Sequence, residues 1–357
     1  QNTALGSAAL NGTTTASNNT GVGYLALAAN TTGSLNTAVG SLALDANTTG
    51  DHNVSVGNNS LGANTTGASN TAMGDRALQT NSTASNNTGI GFKALELNTT
   101  GEKNVALGSL ALNANTTGNQ NSSLGYAALT ANTTGDGNVA IGQRALTTNT
   151  TANNNTAVGF NALEVNTTGT DNVAVGANAL DANETGNRNT ATGKDALGVN
   201  TGSENTAFGA RSLDANTSGG TNTAVGLDAL GSNTTASNNT AVGADALKVN
   251  TTGTSNVAIG AFAVDANTTA SNITGVGMNA LSSNTTGESN NALGSHALQT
   301  NTTGTRNNAF GVSALQLNTT GSDNCAFGQL ALQQNTTGEA NVAVGAEALD
   351  ANTTGLR

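Results

Sequence analysis

Proline and tryptophan are absent from this chain, cysteine occurs once, and aromatic residues make up only 2% of it. A single thiol, Cys325, excludes any internal disulfide framework. Few aromatics means few of the large side chains that fill a globular centre, and the 36% of hydrophobic residues is weighted towards Ala. Charge is scarce too: 9% of residues are charged, 10 basic against 21 acidic, for a formal net charge of −11. With no basic patch to neutralise phosphates, nucleic acid is not an expected partner. No apolar run approaches the roughly 18 residues of a membrane-spanning helix, so no membrane insertion is expected within this segment.

What the chain does have is one motif, repeated from end to end. The stretch Asn36-Thr37-Ala38-Val39-Gly40-Ser41-Leu42-Ala43-Leu44-Asp45-Ala46-Asn47-Thr48-Thr49-Gly50, with two variable residues after it, is a repeat of 17. Counting Asn36 as position 1, repeats begin at 2, 19, 36, 53, 70, 87, 104, 121, 138, 155, 172 and 189, then at 205, 222, 239, 256, 273, 290, 307, 324 and 341. That makes 21 repeats in a single array over 1–357, one of them shortened to 16 residues at Asn200-Thr201-Gly202. A short fixed period over a whole chain is the mark of a solenoid, in which each repeat buries its apolar face on its neighbours. The expected fold is therefore all-β, a β-solenoid with one rung per repeat. The first repeat starts one residue into the chain, so the array is expected to be a segment of a longer chain or filament.

Position 5 is Gly in every repeat, which predicts a corner closed to other residues. Positions 2 and 4, rich in Thr, Val, Leu and Ile, alternate along a short strand and are expected to share one face, position 4 being the large apolar site. Position 3 is always Ala, Gly or Ser, as at Ala38, Ser55, Gly89 and Ala157, and predicts close contact with another strand or chain. Cys325, at position 2, is expected to be a small core residue. Position 9 is Leu except at Val264, so its side chains should stack into a leucine column. A buried Val or Leu contributes about 1.5–3 kcal/mol, against roughly 1–2 kcal/mol per residue for ordering the backbone. One repeat cannot stand alone. Positions 12 to 15, Asn-Thr-Thr-Gly, have turn chemistry. Stacked at about 4.8 Å, the position 12 amides should form a hydrogen-bonded ladder, and the position 1 Asn, replaced only by Ile273, a second one. Positions 6, 7, 10, 16 and 17 carry nearly all the charge and mark the solvent side.

The run Asn155-Thr156-Ala157-Val158-Gly159-Phe160-Asn161-Ala162 resembles the head repeats of trimeric autotransporter adhesins, and the Asn-Thr-Thr-Gly spacer is similar to repeat arrays of tail-fibre-like and bacterial surface proteins. The likeness covers the whole chain and is sharpest at Ala-[Val/Ile/Leu]-Gly. It implies a left-handed β-roll in three parallel chains at the cell surface. The chain departs from those heads in its longer period and its leucine column.

Chemistry is sparse. His52 and His296 are isolated at variable positions, and position 10 acids such as Asp45, Asp181, Asp214, Asp265 and Asp350 are scattered, so no catalytic, cofactor or metal site is expected and the chain is not expected to be an enzyme. The Gly-Gly-x-Gly-x-Asp pattern of calcium β-rolls does not occur. Asn-x-Thr/Ser does recur at position 12, in Asn30, Asn47, Asn64, Asn81, Asn98, Asn115, Asn132, Asn149, Asn166 and Asn183. It continues at Asn216, Asn233, Asn250, Asn267, Asn284, Asn301, Asn318, Asn335 and Asn352. In a glycosylating secretory pathway these would place glycans along one edge; alternatively they are turn and ladder residues. The expected function is an extracellular structural fibre or adhesin shaft that self-associates, laterally as a trimer or end to end. Ice binding, polysaccharide binding and a phage tail-fibre region stand as alternatives.

Overall fold

A computed structural model describes residues 1–355. The regular structure in it is all β: 21 strands of three residues, one per repeat, from β1 (Thr3–Leu5) to β21 (Val342–Val344). The chain is thus an all-β solenoid with one rung per repeat, as the period predicts. It divides into two compact units, Gln1–Thr185 and Gly186–Arg357. The first holds β1 to β11 (Val173–Val175) and the second β12 (Thr190–Thr192) to β21.

Within each unit neighbouring strands pair parallel and in register, so that each residue lies beside its counterpart one repeat away. Thr37, Ala38 and Val39 pair with Val54, Ser55 and Val56, and Thr223, Ala224 and Val225 with Thr240, Ala241 and Val242. The non-strand segments are tied along the same direction. Leu44 N donates to Ser60 O at 3.0 Å, Ala29 N to Asp45 O at 2.9 Å and His52 N to Ser34 O at 3.1 Å. Backbone groups that a lone turn would leave to water are thereby satisfied by the next rung.

The strand faces run opposite to the sequence expectation. Position 3 points into the core: Ala38, Ala157 and Ala258 are fully buried. Positions 2 and 4 point outwards, with Val39 and Val175 37% exposed and Phe208 58%. Position 3 is small because the interior is narrow and already holds Leu at position 9 and Asn at positions 1 and 12. Cys325 accordingly sits at an outward position, half-buried, and not in the core. The packing is tight enough to pair residues across rungs. Val264, the one β-branched residue at position 9, faces Gly275, where a Cβ would lie 2.5 Å from its Cγ2. Beside the ordinary leucines Leu10 and Leu78, the same approach at Gly21 and Gly89 is 3.2 Å. The two serines at position 3 satisfy their hydroxyls inside the core, Ser55 Oγ on Ser60 O at 2.7 Å and Ser123 Oγ on Ala128 O at 2.8 Å.

The position 5 glycines have φ between +128° and +145°, and a Cβ on Gly40 would lie 2.4 Å from Gly57 O. The corner expected there is present. Among the described residues, the rungs also carry ordinary residues in the left-handed region at positions 7 and 9 and, in most of them, 17, as in Leu42 (φ 56°), Leu44 (φ 53°) and His52 (φ 60°). That conformation costs an L-residue about 1–2 kcal/mol. At position 9 it is the conformation that sends the Leu side chain inwards, fully buried at Leu44, Leu163 and Leu247.

Candidate interaction surface

The sequon asparagines do not form an exposed edge. From Asn30 to Asn335 each is 0% exposed, and Asn352 is half-buried. Asn47 Nδ2 donates to Asn30 Oδ1 of the preceding rung at 2.7 Å and to Gly50 O of its own rung at 3.0 Å. Asn64, Asn115 and Asn166 repeat the pattern, at 2.8, 2.8 and 3.0 Å to the preceding Asn. Both amide protons are used. A glycan on Nδ2 would remove a donor and need volume the core lacks, so a glycan and a closed rung exclude one another. The position 1 ladder runs from side chain to backbone: Asn36 N donates to Asn19 Oδ1 at 2.8 Å, and Asn36 Nδ2 to Gly50 O at 2.8 Å. The position 15 carbonyl thus takes both asparagines and closes the rung. Ile273 keeps the backbone half, N to Asn256 Oδ1 at 3.0 Å, while Asn290 turns its amide to Gly287 O at 3.1 Å and Gly304 O at 2.7 Å.

Two further rows are structural. Most position 13 hydroxyls are half-buried and bond along the stack, Thr48 Oγ1 to Thr65 O at 3.0 Å, while position 14 threonines such as Thr49 and Thr66 are exposed. Position 16, expected to be a free solvent position, supplies acceptors to the rung before it. Ser34 N donates to Asp51 Oδ1 at 2.6 Å, Ala68 N to Ser85 Oγ at 3.0 Å and Asn119 N to Asp136 Oδ1 at 2.6 Å. Its bias towards Ser, Asp, Asn and Thr is the signal that could have revealed this role.

Charged side chains pair across adjacent rungs. Arg211 meets Asp228 at 2.7 Å, Arg306 meets Asp323 at 2.7 Å, and Arg144 meets Glu164. The guanidiniums of Arg211 and Arg306 hold Asp228 and Asp323 below the usual carboxylate range. Partial burial pushes Asp45, Asp214 and Asp265 up. A shallow groove of about 300 Å³ lies among Arg211, Asp214, Asp228, Gly231, Ser232 and Lys248, where small residues interrupt this row. Its cations face its own acids, with Lys248 also 2.8 Å from Asp245. His52 is exposed, and His296 Nδ1 lies 2.8 Å from Ser295 Oγ. Among the described residues no three His, Cys, Asp or Glu converge as metal ligands would.

The outward strand face differs from all of these. Positions 2 and 4 carry no charged residue in any of the 21 repeats, and Thr192 is the one polar residue at position 4. Much of the position 4 column is open to solvent: Met73 is 42% exposed, Leu124 47%, Ile141 39% and Ile259 41%. All eight aromatic residues stand at outward positions 4, 6 or 7 and none in the core. Phe310 and Phe327, on adjacent rungs at position 4, stack with centroids 4.8 Å apart and planes at 4°. Exposed apolar side chains thus recur along this face. No protein-family model matches the chain, and no curated protein matches it.

Proposed function

We propose that the chain is the non-catalytic shaft of an extracellular fibre or adhesin, and that copies of it associate laterally through the outward strand face. The observation that carries this reading is the outward strand face, uncharged on every repeat and apolar at position 4 in all but the one with Thr192. The rest of the repeat serves stacking: leucine column, asparagine ladders, threonine and position 16 bonds. The resemblance to trimeric adhesin heads supports a parallel, three-chain arrangement and a surface location. The contact face is the one bearing positions 2 and 4, because position 3 is used up in the core. Sedimentation equilibrium tests it. The wild-type chain is expected to weigh a multiple of 34.7 kDa, and Ile141→Lys with Val175→Lys, both at exposed position 4, should return it to single-chain mass with its β-structure intact. A wild-type chain that stays monomeric at tens of micromolar would sink the proposal.

A further inference from the structure

The repeat needs no particular side chain at position 6, which follows the Gly corner and lies outside the strand face. In the first compact unit this position nevertheless reads Phe92, Ser109, Tyr126, Gln143 and Phe160 over five successive rungs. The three aromatics are 47%, 53% and 49% exposed, and the fold gains little by keeping them there. They recur every second rung, which at a rung spacing of about 4.8 Å places them about 10 Å apart. Between them stand a hydroxyl and an amide, Gln143 exposed and Ser109 half-buried. The neighbouring cations are neutralised: Lys93 is 3.2 Å from Glu96 and Arg144 pairs with Glu164. Lys93 also lies over Phe92, 5.6 Å from the ring centroid, and the ring remains 47% exposed.

We propose that this row binds a neutral, extended, β-linked polysaccharide running along the stacking direction. In such a chain, of the cellulose or chitin kind, the advance of two sugar units matches two rungs. Every second pyranose then sets its C–H face against an aromatic ring, and the sugars between present hydroxyls to Ser109 and Gln143, which can donate and accept. The alternation argues against a protein partner, which would need a continuous apolar core. The inference does not depend on lateral association, since position 6 is separate from positions 2 and 4.

The test is retention on insoluble cellulose and on chitin, with titration by soluble hexasaccharides of each. The wild-type chain is expected to be retained by one of the two polymers. Phe92→Ala with Tyr126→Ala and Phe160→Ala should lower its affinity at least tenfold. A second variant, Ser109→Tyr with Tyr126→Ser, keeps the number of aromatics but breaks their two-rung spacing, and should lose binding to a similar degree. Circular dichroism and sedimentation mass should be unchanged in both variants. The proposal is overturned if neither polymer retains the wild-type chain, if the out-of-phase variant binds as the wild type does, or if the variants lose assembly mass, which would make the row a contact between chains.

Discussion

A Cβ on Gly125 would lie 2.5 Å from Gly142 O, and one on Gly135 would lie 2.4 Å from Ala152 O. By distance alone the two glycines are equally constrained. They differ in backbone: Gly125, at position 5, has φ 138°, whereas Gly135, at position 15, is outside the left-handed region. The array itself uses the distinction, because Ala occupies position 15 at Ala84, Ala152, Ala236 and Ala270, buried to within 2%, while position 5 is never anything but Gly. The rungs with Ala at position 15 accommodate the added methyl; a forbidden φ admits no such accommodation. Gly125→Ala should therefore lose about 1–3 kcal/mol from backbone strain alone, before any clash, and Gly135→Ala less than about 1 kcal/mol. Urea midpoints of the two variants compare them directly. Equal losses would mean that crowding, not φ, keeps position 5 glycine. The position 5 corner was legible in the sequence because one residue type alone satisfies it. The left-handed leucines were not, since Leu at position 9 reads as an ordinary core residue whatever its φ.

At the scale of the rung, the asparagine ladders could be read from their period and the strand faces could not. A strand of three residues shows only that positions 2 and 4 oppose position 3; which side is inside depends on how much room the rung encloses. The enclosed space is filled by Leu, two Asn and two Ala, so β-branched residues go outwards, where strand preference rather than burial favours them. Of the two readings the sequons allowed, a glycan-bearing edge or turn and ladder residues, the burial of the asparagines favours the second: Asn-Thr-Thr has turn chemistry, and turns usually face solvent, yet here the turn carries its Asn inwards. Asn166→Asp probes that placement. The amide donates to Asn149 Oδ1 at 3.0 Å and Gly169 O at 2.9 Å, so an ionised carboxylate would set acceptor against acceptor in a fully buried site. Burial disfavours the charged form and raises the folded-state pKa above the roughly 3.9 of an unfolded Asp. The protonated form keeps one donor. The variant is then most stable relative to its unfolded state below that unfolded pKa, and loses stability as pH rises through the folded pKa. Thermal melts should show a deficit against wild type that is largest at pH 7–8 and shrinks on acidification. A deficit independent of pH would place the side chain in contact with water.

For the molecule as a whole, the repeat made architecture legible and left function to the surface, because twenty-one similar rungs reveal a fold many times over and a ligand only where they differ. The distribution of charge nevertheless decides how the molecule should associate. The net charge of −11 resides in outward positions such as 6, 7, 10, 16 and 17, and none of it on positions 2 and 4. Copies meeting through the strand face would bury apolar surface while their remaining charges repel. Raising salt from 0.1 M to 1 M shortens the screening length from about 10 Å to about 3 Å, which weakens that repulsion and leaves apolar burial in place. Assembly mass measured by sedimentation should hold or rise across this range. Pairs such as Arg211–Asp228 and Arg306–Asp323 are satisfied within one chain and gain nothing from a neighbour. A fall in mass at 1 M would therefore mean that the charged positions, regrouped between chains, form the interface, and the uncharged strand face would have to be assigned to something other than self-association.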